Sequence, residues 1–147
     1  MSEVSSQQLV VFSLGSEEYA LPIGAVHEII RFTEPRSVAS EVAWIRGVIG
    51  LRGKIIPIFD LAARLELAAG DSQPGKIVIV ETGTGQVGVM VDEVEEVLTT
   101  SSDQLEDVPT ASTDSIDAIA KIGDRLVILL NPRDLFARPR ADDLAVA

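Results

Sequence analysis

The segment Gly47-Val48-Ile49-Gly50-Leu51-Arg52-Gly53-Lys54-Ile55-Ile56-Pro57-Ile58-Phe59-Asp60-Leu61 limits what this chain can become more than any other stretch of it. Three glycines break an apolar run that is too short and too β-branched to cross a membrane as a helix. Glycine takes positive φ or lets a second backbone come close, so this spacing predicts tight turns between buried strands. Pro57 has no amide hydrogen, which predicts an edge strand or a bulge at that point. Arg52 sits in the middle of the run. A guanidinium buried there needs a carboxylate or backbone carbonyls as partners, because an unpaired buried charge costs about 3–5 kcal/mol. Arg52 and Gly53 are therefore expected to be structural.

The remaining sequence also favours strands. Hydrophobic residues make up 46% of the chain but aromatics only 4%, so Val, Ile and Leu must fill the interior, and β-branched side chains suit strands. Apolar runs alternate with turn signals. Residues 9–14 and 19–21 flank Gly15-Ser16-Glu17-Glu18 as one hairpin, and residues 76–81 and 86–91 flank Thr82-Gly83-Thr84-Gly85 as another. Residues 125–130 form a late strand, ended by Asn131-Pro132. Helix is confined to short turns. Ser40 would cap one reaching Ile45, Asp60 another over residues 61–65, and Asn131 with Pro132 a third reaching Phe136. Residues 69–75 and 99–115 read as loops, and residues 1–6 and 139–147 as frayed tails. A single all-β domain over residues 7–138 is the expectation.

Several function classes are disfavoured at once. The net charge of −11 argues against nucleic acid and against anionic membrane surfaces. With no cysteine there are no disulfides, thiolate chemistry or Cys-based zinc sites. Neither a signal-peptide pattern nor a membrane-spanning segment is visible, so a soluble, cytoplasmic protein is expected. His27 is the sole histidine, which rules out a multi-histidine metal centre or a His-based triad. Gly83-Thr84-Gly85 lies between strands rather than before a helix, so it is a hairpin loop and not a phosphate cradle. Asp92, Glu93, Glu95 and Glu96 lack the alternate spacing and glycine bend of a calcium loop, which leaves a solvated acidic face. Asp60 and Asp92 have no accompanying nucleophile or cofactor motif. No metal or cofactor is expected. A binding protein is favoured, with a small β-barrel hydrolase as the enzymatic alternative. Val94 and Val97 stand three apart among acids, and Ile23 and Val26 repeat that spacing. Core is the commoner fate of such residues; the other is an exposed apolar patch rimmed by charge, as binding surfaces tend to be.

Four blocks in order resemble the CheW family, the adaptors that couple bacterial chemoreceptors to their histidine kinase. The first is Phe12-Ser13-Leu14, then Glu18-Tyr19-Ala20-Leu21, then Ile23, Val26, Glu28 and Ile29. The second is the glycine-arginine run, and the third holds Gly88, Val89, Val91, Asp92, Val94 and Val97. The last is Gly123-Asp124-Arg125-Leu126-Val127-Ile128-Leu129-Leu130-Asn131. The resemblance implies an all-β fold of two intertwined five-stranded SH3-like barrels with a few short helices. By analogy the first barrel takes residues 8–57 and 125–137, and the second residues 58–124. It also implies a scaffold without enzymatic activity or cofactor. Its partners would be the regulatory domain of the kinase CheA and the cytoplasmic hairpin tip of chemoreceptors, at membrane-associated arrays. Glu28, Arg46 and Gly47 would contact the kinase, and Ile23, Val26, Val94 and Val97 the receptor. An adaptor of a pilus-motility or other non-chemotactic pathway is the alternative within this class. Gly50 replaces the family's usual asparagine. Ala118 and Ala120 stand where glycine is common, so strain is expected if those backbones take positive φ.

Overall fold

The computed structural model describes residues 6–38, 44–65, 74–83, 85–106 and 116–135. Strands β1 (Ser6–Leu14) and β2 (Glu17–Pro22) form the first hairpin, and a single 3-10 turn, Ile23–Ala25, leads into β3 (Val26–Arg31). The glycine-arginine run folds back on itself as β4 (Ile45–Leu51) and β5 (Lys54–Asp60), followed by the short helix α1 (Leu61–Arg64). A second hairpin joins β6 (Lys76–Glu81) to β7 (Gln86–Val91). Then come β8 (Glu93–Ser101), a 3-10 turn over Ser102–Gln104, β9 (Leu105–Glu106), β10 (Ile116–Ile122), β11 (Arg125–Leu130) and helix α2 (Pro132–Leu135). Asp60 caps α1 by accepting from the Ala63 amide at 3.2 Å, and Asn131 caps α2 by accepting from Arg133 and Asp134 amides at 2.9 and 3.3 Å. Both caps fall where the sequence places them. The turn expected after Ser40 lies largely outside the described residues, and Ile45 begins β4 instead.

These strands make two sheets, ordered β8-β1-β2-β11-β10-β9 and β3-β6-β7-β5-β4. Each curls until its two ends meet. In the first, the end strands β8 and β9 are consecutive in the chain, joined by a 3-10 turn that Ser101 and Gln104 close as a capping box. In the second, the chain leaving β3 reaches β4, where Arg36 and Val48 exchange backbone hydrogen bonds of 2.9 Å in both directions. The fold is thus the expected pair of intertwined barrels, the first gaining a sixth strand of only two residues.

The division between barrels differs from the expected one. Strands β3 and β4 belong to the second barrel, while β8, β9 and β10 belong to the first. The chain changes barrel at Ile23–Ala25 and again at Asp92, so residues 26–91 build the second barrel without interruption. Hydrophobic runs report that a strand is buried, not which sheet it joins. Asp92 secures its crossing: its amide donates to the Ser13 carbonyl at 3.0 Å and its carboxylate accepts from the Gly15 amide at 2.8 Å. Residues 99–106, expected as loop, complete β8 and form β9, because Thr99 and Thr100 find ladder partners in Gln8 and Gln7.

Three cores result. Leu9, Val11, Ala20, Ala120, Val127 and Leu129 fill the first barrel. Ile49, Ile56, Ile58, Ile77, Ile79 and Met90 fill the second, around Gly88, where an added Cβ would meet Ile58 Cδ1 at 2.5 Å. Phe12, Tyr19, Leu21 and Leu130 of the first barrel meet Phe59, Val78, Val80, Val89 and Val91 of the second in a third core between them. Strands β6 and β7 are therefore buried on both faces, which is why they read as unbroken apolar runs.

Matching the two sheet orders strand by strand pairs β8 with β3, β1 with β6, β2 with β7, β11 with β5 and β10 with β4. The barrels are two copies of one plan. Pro57 lies inside this plan rather than at an edge, since β5 has β4 on one side and β7 on the other. It is tolerated because its partner Val48 turns both backbone groups to Arg36, and the β5–β7 ladder begins one residue later at Ile58.

Candidate functional site

A bulge shapes the exposed side of each barrel. Along β8, Val94 faces Phe12, Glu96 faces Val11 and Val97 faces Val10, so Glu95 is the extra residue. Along β3, Val26 faces Val80, Glu28 faces Ile79 and Ile29 faces Val78, so His27 is the extra residue. Directly opposed residues of an antiparallel pair share a face, and a bulge puts residues three apart on the same one. Val94 and Val97 therefore point the way Phe12 does, and Val26 and Ile29 the way Val80 and Val78 do. Phe12, Val78 and Val80 are all in the core between the barrels. That core thus continues outward as an apolar rim. Val26 and Val94 are half-buried against it, while Ile23, Ile29 and Val97 are 41%, 40% and 53% exposed. The spacing of three at Val94 and Val97 arises from the β8 bulge, whereas in β3 the bulge pairs Val26 with Ile29; Ile23 stands outside it, in the 3-10 turn before the strand. Ile29 was missed; its signal is the recurrence of valine, one residue, glutamate and a β-branched residue at 26–29 and 94–97.

Glu28 shares the face of Ile79, which looks into the second barrel, and so stands at that barrel's mouth. Arg52 reaches it from the β4–β5 turn, with Nε to Oε1 at 3.1 Å and an Nη2 to Oε2 at 2.9 Å. The expectation that Arg52 is buried is overturned: its side chain is 71% exposed, at φ +52° on the hairpin tip, next to Gly53 at φ +80°. It does bond a carboxylate, in solvent rather than in the interior. The hydrogen bond from Arg52, aided by its charge, holds the Glu28 carboxyl below the usual range and raises the guanidinium in return.

Arg46 and Gly47 sit at the other end of β4. Arg46 is itself a bulge residue, and its Nη1 lies 3.2 Å from Asp60 Oδ2 beside α1. Gly47 has φ +154°, and a Cβ there would come within 2.0 Å of the Arg36 carbonyl oxygen, so it is required for closing the barrel. Glu28 and Arg46 are not brought into contact; each has its own partner. The first barrel repeats this corner with Asp117 as the extra residue and a 3.1 Å bond from Asn131 Nδ2 to Asp117 Oδ1. Ala118 and Ala120 carry no strain there, since among the described residues Arg52 is the only non-glycine with positive φ.

The first barrel also has a counterpart of the Glu28–Arg52 pair. Arg125 holds Glu18 through Nε and Nη2, both at 3.0 Å, and reaches Glu96 at 2.7 Å. Asp60 and Asp92 do not meet as a catalytic pair, since one caps α1 and the other ties the crossing between barrels. Among the described residues no group of three or more His, Asp or Glu is placed to hold a metal ion. No helix there is long and apolar enough to cross a membrane.

Two fused small barrels with an apolar rim and ion-paired mouths define a binding module. The family model of the CheW-like domain matches residues 8–140, and the chain belongs to that family. It is 31% identical over 140 residues to the chemotaxis protein CheW of Klebsiella aerogenes, covering 92% of this chain and 84% of that one. Treponema pallidum CheW is 29% identical over 147 residues, covering 94% and 86% respectively. The crystal structure of the scaffolding protein TtCheW from Thermoanaerobacter tengcongensis superposes with a TM-score of 0.82 at 34% identity, covering 91% of this chain and 94% of that one.

Proposed function

We propose that this protein is a non-enzymatic adaptor in a bacterial chemosensory assembly, joining the regulatory domain of a CheA-type histidine kinase to the cytoplasmic hairpin tip of a chemoreceptor. The observation that carries this reading is the apolar rim formed by Val26, Ile29, Val94 and Val97, which draws on both barrels, with Ile23 exposed on the turn before β3. An amphipathic helical hairpin offers apolar side chains at i, i+3 and i+4, which suit a rim of this kind. A few buried aliphatic side chains at about 1–2 kcal/mol each support roughly micromolar affinity, which an array with many simultaneous contacts can use. Glu28, on β3 between the rim residues Val26 and Ile29 but facing the mouth of the second barrel, is assigned to the kinase contact together with Arg46 and Gly47 at the far end of β4. Binding measured by calorimetry against a receptor-tip hairpin fragment and a kinase regulatory domain tests the assignment. Val97→Asp is expected to abolish hairpin binding and spare the kinase domain, and unchanged hairpin binding would sink the receptor half of the reading.

A further inference from the structure

We propose that Arg125 is a positioning residue for partner binding: by clamping Glu96 against Glu18 it fixes the β8 bulge and so holds Val94 and Val97 on the apolar rim. This rests on the receptor-hairpin reading of that rim. Arg125 opens β11 directly after the Gly123-Asp124 turn, and it grips Glu18 of β2 with two 3.0 Å bonds while an Nη2 reaches Glu96 of β8 at 2.7 Å. Strands β8 and β11 are not neighbours, since β1 and β2 separate them in the sheet. The contact to Glu96 therefore spans the barrel mouth rather than following a ladder.

Its point of attachment gives it leverage. Glu96 lies between the extra residue Glu95 and the rim residue Val97. A bulge leaves one residue unpaired, and a slip by one position returns it to the ladder and sends its neighbours to the opposite face. Such a slip moves Glu96 by roughly 3.3 Å along the strand, which breaks a 2.7 Å ion pair. The acidic composition of the segment makes the clamp useful, because Glu93, Glu95 and Glu96 repel one another when crowded. The second barrel has the same arrangement, with Glu28 next to the extra residue His27 and held by Arg52. There one carboxylate meets a cation 71% exposed; here two meet a cation 36% exposed.

The test measures hairpin and kinase-domain binding by the full-length chain, with backbone amide hydrogen exchange as the local readout. Arg125→Ala and Glu96→Gln are each expected to weaken hairpin binding about tenfold, and the double variant no further than either alone. Kinase-domain affinity should stay at the wild-type value, and exchange should rise at residues 95–98 while β6 and β7 keep their protection. Glu96→Gln keeps the side-chain shape, so it carries the test whatever Arg125→Ala does to folding. Wild-type hairpin affinity in Glu96→Gln, alongside a loss in Val97→Asp, would overturn the positioning role and leave the receptor reading standing. Equal losses for both partners, with exchange rising throughout β1, β2 and β11, would make Arg125 a general brace and overturn it too. If Val97→Asp also bound the hairpin normally, the receptor reading itself would fall.

Discussion

At the tip of the β4–β5 hairpin, Arg52 keeps its guanidinium in water while bonding Glu28 through both carboxylate oxygens. Exposed pairs contribute little because solvent screens them and two long side chains lose freedom. Arg52→Ala is accordingly expected to leave the urea midpoint close to that of the wild type. Arg52→Gly loses the same pair but relieves the positive φ, so it should be more stable than the alanine variant by up to about 1 kcal/mol. A large drop in the midpoint of Arg52→Ala would mean a desolvated pair instead. Glu28 supplies a pH signature. Its carboxyl is depressed in the folded protein, chiefly by the Arg52 hydrogen bond. The unfolded chain therefore binds the proton first as pH falls, so the pair's contribution is full above the unfolded carboxylate pKa and disappears as pH drops through the lower folded one. Carboxyl NMR titration should find Glu28 returning toward its ordinary range in Arg52→Ala; no change would show that Arg52 is not the cause. The sequence made an arginine in an apolar run conspicuous. It did not reveal that the run breaks at that residue, because Leu51-Arg52-Gly53-Lys54 is a turn carried by two adjacent positive-φ residues, and only the glycine advertises one.

The edge strands show how much depends on single inserted residues. Gly47 lies one residue past the bulge at Arg46, with the Arg36 backbone against it. Gly47→Ala should cost more than about 2 kcal/mol, combining a backbone clash with a disfavoured φ. Gly50→Ala, with nothing within 4 Å of the new Cβ, should stay within roughly 1 kcal/mol of wild type. Equal thermal midpoints for the two variants would refute the closure role of Gly47. On β8 the rim valines separate as well. Val94 packs on the core between the barrels whereas Val97 is 53% exposed, so Val94→Asp should destabilise by several times the amount of Val97→Asp. Calorimetric scans of both check this, and Val97 is the cleaner probe of binding. The two hairpins and the Asp60 and Asn131 caps were legible in the sequence because glycine, asparagine and aspartate mark them locally. The bulges were not, because Glu95 and His27 carry no turn chemistry and are extra only relative to a partner strand more than fifty residues away.

Across the whole molecule, the core between the barrels makes the two halves one cooperative unit. Phe12, Leu21 and Leu130 come from one barrel and Phe59, Val80 and Val89 from the other, all buried together. Phe12→Ala is expected to cost about 3–5 kcal/mol and to lower a single unfolding transition followed by probes in both barrels. Two separated transitions would show that the barrels unfold independently.

The order in which the chain visits its barrels bears on how it is made. Residues 26–91 supply every strand of the second barrel in one stretch, so those contacts can form while the ribosome is still adding β8 to β11. The first barrel has no such freedom. Its β1–β2 hairpin must wait for β8 and β11, and the bonds between Glu18 and Arg125 join positions 107 apart. During synthesis that hairpin has both long sides unpaired and can meet the same hairpin on a neighbouring nascent chain before its own partners emerge. The last strand to leave the ribosome is thus also the one that removes the chain's most exposed opportunity for mispairing.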